Sequence, residues 1–196
     1  MQIDYYFSTI SPFTYLSGTR PAQVAAKHGA SLNYKPLDIM GLFGRTGGTP
    51  PKDRHENRKA YRLTEMRRAA AKLGMPINLQ PAHWPTNAAP SSYAIIAAVR
   101  DGSGDVADLV AGLTRACWAE EKDIAQDEVI GDCLAAAGFD RTLVDHDMMQ
   151  GAETYARNLE DAVKAGAFGA PFFIMGEEPF WGQDRIDDLD AYLAAV

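Results

Sequence analysis

The sequence predicts an α/β fold in which a small sheet is interrupted by a large block of helices, and three observations carry that expectation. Short β-rich segments stand at both ends of the chain, QIDYYF at residues 2 to 7 and PFFIM with EPFW at residues 171 to 181. Between them the apolar residues recur mostly at helical spacing. The resulting order is βαβ, then helices, then ββα, which describes an α/β layer sheet carrying a helical cap.

The first strand gives way at FSTISPFTYL, where Ser11 reads as a helix N-cap and Pro12 as the first helical residue. The helix is expected to pass through Tyr15, Leu16, Val24 and Ala25 to the stop His28-Gly29, with a kink or broken turn at Pro21. Residues 31 to 39 form the second strand, and Pro36 within it points to an edge position or an irregularity. GLFGRTGGTPPKD, residues 41 to 53, is dense in Gly and Pro and reads as a loop and a boundary. Leu63, Met66, Ala70 and Leu73 then place a helix over 57 to 73. Further helices are expected at 89 to 100, 105 to 119, 127 to 137, 140 to 149 and 153 to 165. A hairpin turning at Gly176-Glu177 follows, and a last helix from Asp184 aligns Ile186, Leu189, Leu193 and Val196.

The chain of 196 residues has 46% hydrophobic and 23% charged residues, ordinary for a soluble globular protein, and no apolar run long enough for a membrane span. The N-terminus lacks a signal-peptide pattern, so a cytoplasmic location is expected. Net charge of −7 argues against a nucleic-acid partner. The charge is uneven: residues 45 to 72 hold nine basic residues against three acids, a net of +6, so the remainder carries −13. Two readings stand for that segment, a solvated helix face with counter-charges elsewhere in the fold, or an attractor for a small anion in a cleft. Cys117 and Cys133 form neither a CxxC pair nor a ligand cluster and read as inert, largely buried thiols. His28, His55, His83 and His146 share no metal spacing and read as surface or structural residues, with His83 beside Trp84 and Asn87 at a presumed cleft lip. No metal site is expected.

Three spots could carry chemistry. Ser11 is either a plain cap or a hydroxyl presented at a helix start. Pro171 in FGAPFF is either a tolerated trans residue at a strand start or a cis proline whose predecessor, Ala170, exposes its backbone. In FWGQDRID, Gly182, Gln183 and Asp184 either cap a helix or bind a carboxylate and an ammonium.

Together these spots resemble one family. Ser11-Pro12-Phe13 with Tyr15-Leu16, Tyr61 with Arg67-Arg68, His83-Trp84-Pro85-Thr86-Asn87, Phe168-Gly169-Ala170-Pro171 and Trp181-Gly182-Gln183-Asp184-Arg185 occur in the order seen in 2-hydroxychromene-2-carboxylate isomerases and the related kappa-class glutathione transferases. The resemblance implies an α/β, thioredoxin-like (DsbA-type) domain with a large all-helical insertion. Residues 1 to 42 and 166 to 196 would form the discontinuous thioredoxin-like part and residues 43 to 165 the insertion domain. It implies glutathione as cofactor, bound by Ser11, Pro12, Ala170, Pro171, Gly182, Gln183, Asp184 and Arg185. It also implies a small aromatic carboxylate as substrate, with Arg54, Arg58, Lys59 and Asn87 as contacts, and a homodimer. Where disulfide oxidoreductases of this fold carry CxxC, residues 11 to 14 read Ser-Pro-Phe-Thr, so thiol exchange is not expected.

The implied reaction interconverts 2-hydroxychromene-2-carboxylate and trans-o-hydroxybenzylidenepyruvate, a step in degradation of naphthalene-type aromatics, by reversible thiolate addition. Ser11 would be the catalytic residue, favouring a thiolate by hydrogen bonding. One departure concerns the lysine that family members carry three residues before the position of Tyr61, where this chain has Arg58 followed by Lys59. A kappa-like transferase conjugating a small electrophile and a noncatalytic glutathione-binding module are the alternatives.

Overall fold

The computed structural model describes residues 1–145 and 148–196. Its sheet has four strands in the order β2-β1-β3-β4: β1 (Gln2–Phe7), β2 (Ser31–Pro36), β3 (Phe172–Met175) and β4 (Glu178–Trp181). β1 runs parallel to β2 and antiparallel to β3, and β3 pairs antiparallel with β4. Alternation along β1 sends Ile3, Tyr5 and Phe7 into the core, where Tyr5 stacks on Phe7 and Phe173 at 4.6 and 4.8 Å. Both strand prolines, Pro36 and Pro179, lie on edge strands, where a missing N–H breaks no ladder to a neighbour.

Between β1 and β2 the expected single helix is two: α1 (Pro12–Ser17) and α2 (Arg20–Lys27). The break falls at Gly18, with φ of +54°, rather than at Pro21, which sits in the first turn of α2 where its absent N–H would have had no helical partner. β2 ends at Pro36, three residues earlier than expected, because Asp38 caps a new helix, α3 (Ile39–Thr46), by accepting from the Met40 N–H at 2.9 Å. The first part of the expected loop is therefore helical.

The other helices are α4 (Glu56–Leu73), α5 (Ala89–Asp101), α6 (Val106–Ala119), α7 (Asp127–Ala136), α8 (Met148–Lys164) and α9 (Ile186–Leu193). Within the expected helix at 140 to 149, Arg141–Asp145 forms a short 3-10 turn, residues 146 and 147 lie outside the described residues, and Met148 already belongs to α8, ahead of the expected 153. The Asp140 side chain accepts from the Thr142 N–H and hydroxyl at 2.8 Å, which supports a tight local turn over a longer helix. His146 lies outside the described residues. One hydrophobic core joins the sheet to the helices, running from Ile3 and Phe173 through Met66 and Ile95 to Trp118 and Leu134. Among the described residues no helix is long and apolar enough to cross a membrane, and no group of His, Cys, Asp and Glu could hold a metal ion.

Candidate active site

A cleft of about 450 Å³ opens where the end of β1, α1, the β3–β4 hairpin and the start of the helical block meet. That volume suits a small organic ligand. Its walls have different origins. Ser11, Pro12, Gly169, Ala170, Gly182, Gln183, Asp184 and Arg185 come from the sheet and its flanking turns, and Met40, Phe43, Arg54, Arg62 and Trp84 come from the segment that follows β2.

Ser11 follows β1 through a turn in which its N–H donates to the Ser8 carbonyl at 3.0 Å. Its Oγ accepts from the Thr14 N–H at 3.3 Å, so the capping role is real. The same hydroxyl donates to the Ala170 carbonyl at 3.3 Å, and the residue is 9% exposed at the cleft floor. The Ala170–Pro171 peptide is cis, as is Trp84–Pro85. The Gly182 N–H donates to the Pro171 carbonyl at 3.0 Å and Phe172 pairs with Trp181, so the hairpin brings the second and third spots together.

Two glycines shape this wall. A side chain at Gly169 would run into the Trp181 indole, and one at Gly182, whose φ is +113°, would meet the Asp184 Oδ1 at 2.5 Å. Arg20 then fixes the rim: its guanidinium donates to the Leu16 carbonyl at 3.1 Å, to the Gln183 carbonyl at 3.0 Å and to Gln183 Oε1 at 2.9 Å. Because arginine only donates, the Gln183 side chain must turn its oxygen toward Arg20, which leaves its NH2 for a ligand. Asp184 beside it is largely exposed and only loosely paired with Arg185, at 3.5 Å. A donor next to a carboxylate matches the carboxylate and ammonium of a free α-amino acid head.

Across the cleft, Trp84 donates from Nε1 to the Ile10 carbonyl at 3.0 Å, one residue before Ser11. Arg62 lies over the Trp84 ring at 5.2 Å and near Trp118 at 5.9 Å, and the two indoles are 5.5 Å apart. Burial, helped by the charge of Arg54, pushes the Arg62 guanidinium down to about 10. Arg54 lies 5.7 Å over Phe43 and donates from Nε to the Thr49 carbonyl at 2.8 Å. Burial and then Arg58 lower it too.

The nine cations of residues 45 to 72 thus divide. Arg45 pairs with Glu160 of α8, a counter-charge from elsewhere in the fold, while Lys59 and Arg68 pair with Glu56 and Glu65. Arg54 and Arg62 line the cleft, and the rest do not. Of the four substrate contacts expected from sequence, Arg54 lines the cleft. Arg58 is exposed on α4, Lys59 is tied to Glu56 at 2.8 Å, and Asn87 is exposed with its Oδ1 accepting from the Ala89 N–H at 3.1 Å. None of these three lines the cleft. His83 is exposed and also outside the lining.

Arg62 was not among the expected contacts, yet the sequence holds a signal for it. It lies four residues before Met66 and eight before Ala70, both buried, so it occupies the apolar stripe of α4. Cys117 is buried and Cys133 half-buried, and burial pushes their thiols up to about 12 and about 11, which leaves both protonated at neutral pH.

A 2-hydroxychromene-2-carboxylate isomerase of Sphingobium xenophagum is 27% identical to this chain over 194 residues, covering 97% of each. A solved 2-hydroxychromene-2-carboxylate isomerase shares the fold with a TM-score of 0.79 at 24% identity, over 100% of this chain and 95% of its own. The cytosolic disulfide reductase DsbM from Pseudomonas aeruginosa, solved with GSH, does so with a TM-score of 0.72 at 19% identity, over 100% and 98%. The family of DSBA-like thioredoxin domains matches residues 2–194, and the chain belongs to that family.

Proposed function

We propose that the protein is a glutathione-dependent cis–trans isomerase that interconverts 2-hydroxychromene-2-carboxylate and trans-o-hydroxybenzylidenepyruvate. The observation that carries this reading is one cleft holding a hydroxyl floor at Ser11, an amino-acid rim at Gln183 and Asp184, and two arginines opposite. The full-length likeness to an isomerase of this name supports the substrate class, and the DsbM fold with GSH supports the thiol.

The residues fit glutathione in a defined way. Asp184 would take the ammonium and the Gln183 NH2 the carboxylate of the γ-glutamyl end, while Ala170 and Ser11 would border the cysteinyl part. Bound glutathione supplies a thiolate that adds reversibly to the conjugated double bond, so that the bond can rotate before the thiolate leaves. A neutral Ser11 hydroxyl is too weak a base to take the thiol proton, and one of its two Oγ lone pairs is engaged by the Thr14 N–H. What it has to give is its hydrogen. Rotation about Cβ–Oγ would release the long 3.3 Å bond to Ala170 and turn that hydrogen to the sulfur, at a cost of about 1 kcal/mol. A hydrogen bond to the charged form favours the thiolate. Such chemistry needs reduced thiol, which accords with a cytoplasmic setting.

The test is to mix protein, glutathione and the hydroxychromene acid and to follow absorbance and product mass. Glutathione-dependent conversion to an isomer of unchanged mass is expected. A product carrying glutathione would mean a transferase instead, and no change with glutathione would overturn the assignment.

A further inference from the structure

Arg62 is a cleft cation with no polar protein partner among the described residues. It is half-buried, yet none of its N–H groups meets a carboxylate or carbonyl among the described residues. Its donors, up to five in number, are thus uncommitted within the protein and free for an anion that enters the cleft. Arg54 differs, because its Nε is already engaged by Thr49. Arg185, the third arginine of the lining, pairs with Asp188 at 2.9 Å. Glu65, the acid lining the cleft near Arg62, is held by Arg68 at 3.0 Å.

The geometry also says how an anion would be taken. The distances of 5.2, 5.9 and 5.5 Å among Arg62, Trp84 and Trp118 make a nearly equilateral triangle, so both indoles lie to one side of the guanidinium. Trp118 is fully buried and Trp84 is anchored to the Ile10 carbonyl, so this shelf is rigid. A guanidinium backed on one side meets a planar anion with its donor edge, in the bidentate arrangement that a carboxylate matches.

We propose that Arg62, shelved on Trp84 and Trp118, is the residue that grips the substrate's carboxylate and makes the cleft select planar acids over their neutral analogues. The proposal rests on the preceding section only in treating this cleft as the substrate's. Calorimetric titration with trans-cinnamate and with cinnamamide, which differ in charge and little in shape, tests it without turnover. The wild type is expected to bind the acid about tenfold or more tightly than the amide. Arg62→Met should abolish that preference by weakening the acid alone, with amide affinity unchanged as proof of an intact cleft. Arg62→Lys should keep only part of it, since a point charge replaces a fork. Lys72→Met, an exposed cation at the end of the same helix, should keep it whole.

Absence of acid preference in the wild type, or its survival in Arg62→Met, would overturn the proposal. Full preference in Arg62→Lys would overturn it as well, and that variant decides the matter if Arg62→Met does not fold. Glutathione-dependent isomerisation with undiminished acid affinity in Arg62→Met would sink this inference and leave the isomerase reading standing. Loss of the preference in a protein that isomerises nothing would do the reverse.

Discussion

The two walls of the cleft are built by different means. The wall of Ser11, Ala170 and the 182 to 185 turn is set by backbone: a helix cap, a strand pairing, a glycine at positive φ and carbonyls gathered by Arg20. The wall of Arg54, Arg62 and Trp84 is set by side chains lying on aromatic faces. The first is prepared to hold a ligand through many small, directional contacts, whereas the second holds charge in reserve at some expense of stability. Trp84 connects them, since its anchor at Ile10 is the neighbour of Ser11.

The sharpest way to break this comparison is Ser11→Ala. It should lower the rate of isomerisation roughly a hundredfold, in line with loss of one donor to a developing anion. Its stability loss should stay near 1 kcal/mol, the value of a lost cap. Equal rates in mutant and wild type would show that Ser11 is a cap alone.

Gly182→Ala comes next, because it combines a positive φ of +113° with a contact of 2.5 Å to Asp184. Denaturant unfolding should show a loss of about 1–3 kcal/mol, with weaker glutathione binding and unchanged cinnamate binding. Equal weakening of both ligands would mean that the walls are not separable.

On the other wall, Arg62→Met should unfold at a temperature no lower than the wild type, since an uncompensated half-buried charge gives way to an apolar chain of similar length. A fall of several degrees would show that the cation–π shelf outweighs the desolvation of the charge.

The smallest effect concerns the cysteines. With the Cys117 and Cys133 thiols raised in the folded state, the unfolded chain releases their protons first as pH rises above about 9, the ordinary value. Unfolded chains then bind fewer protons than folded ones, so this contribution to stability is intact below pH 9 and declines above it. Thiol titration of the native protein at pH 8 should be slow at both sites and become fast only in denaturant. Rapid reaction of either thiol would contradict its protected state.

The difference between the walls also explains what the sequence could reveal. Ser11, Gly182 and Asp184 belong to short local patterns that have meaning within a few residues, and the cleft contains all three. Arg62 acquires its meaning only when α4 is laid beside Trp84 and Trp118, which lie far from it in the chain. The helix α3 was hidden for a related reason. Its glycines read as turn formers, yet a side chain at Gly41 would strike Leu159 of α8 at 2.9 Å, so the residue permits a close approach of two helices. Pro21 shows the converse, since its place in the first turn of α2 followed from Gly18 ending α1 upstream. Arg58, Lys59 and Asn87 were expected beside Arg54 from the family resemblance; Arg58 and Lys59 fall on a face of α4 outside the cleft lining, and Asn87 lies in the segment before α5 with its side chain engaged by the Ala89 N–H.

The Arg20 contacts have a kinetic meaning. Three carbonyl oxygens from Leu16 and Gln183 converge on one guanidinium, so the turn that would receive the amino-acid head is ordered before anything arrives. Association at that rim then requires no loop to settle, and its speed is governed by encounter. Differences among related thiols would appear in how long each one stays.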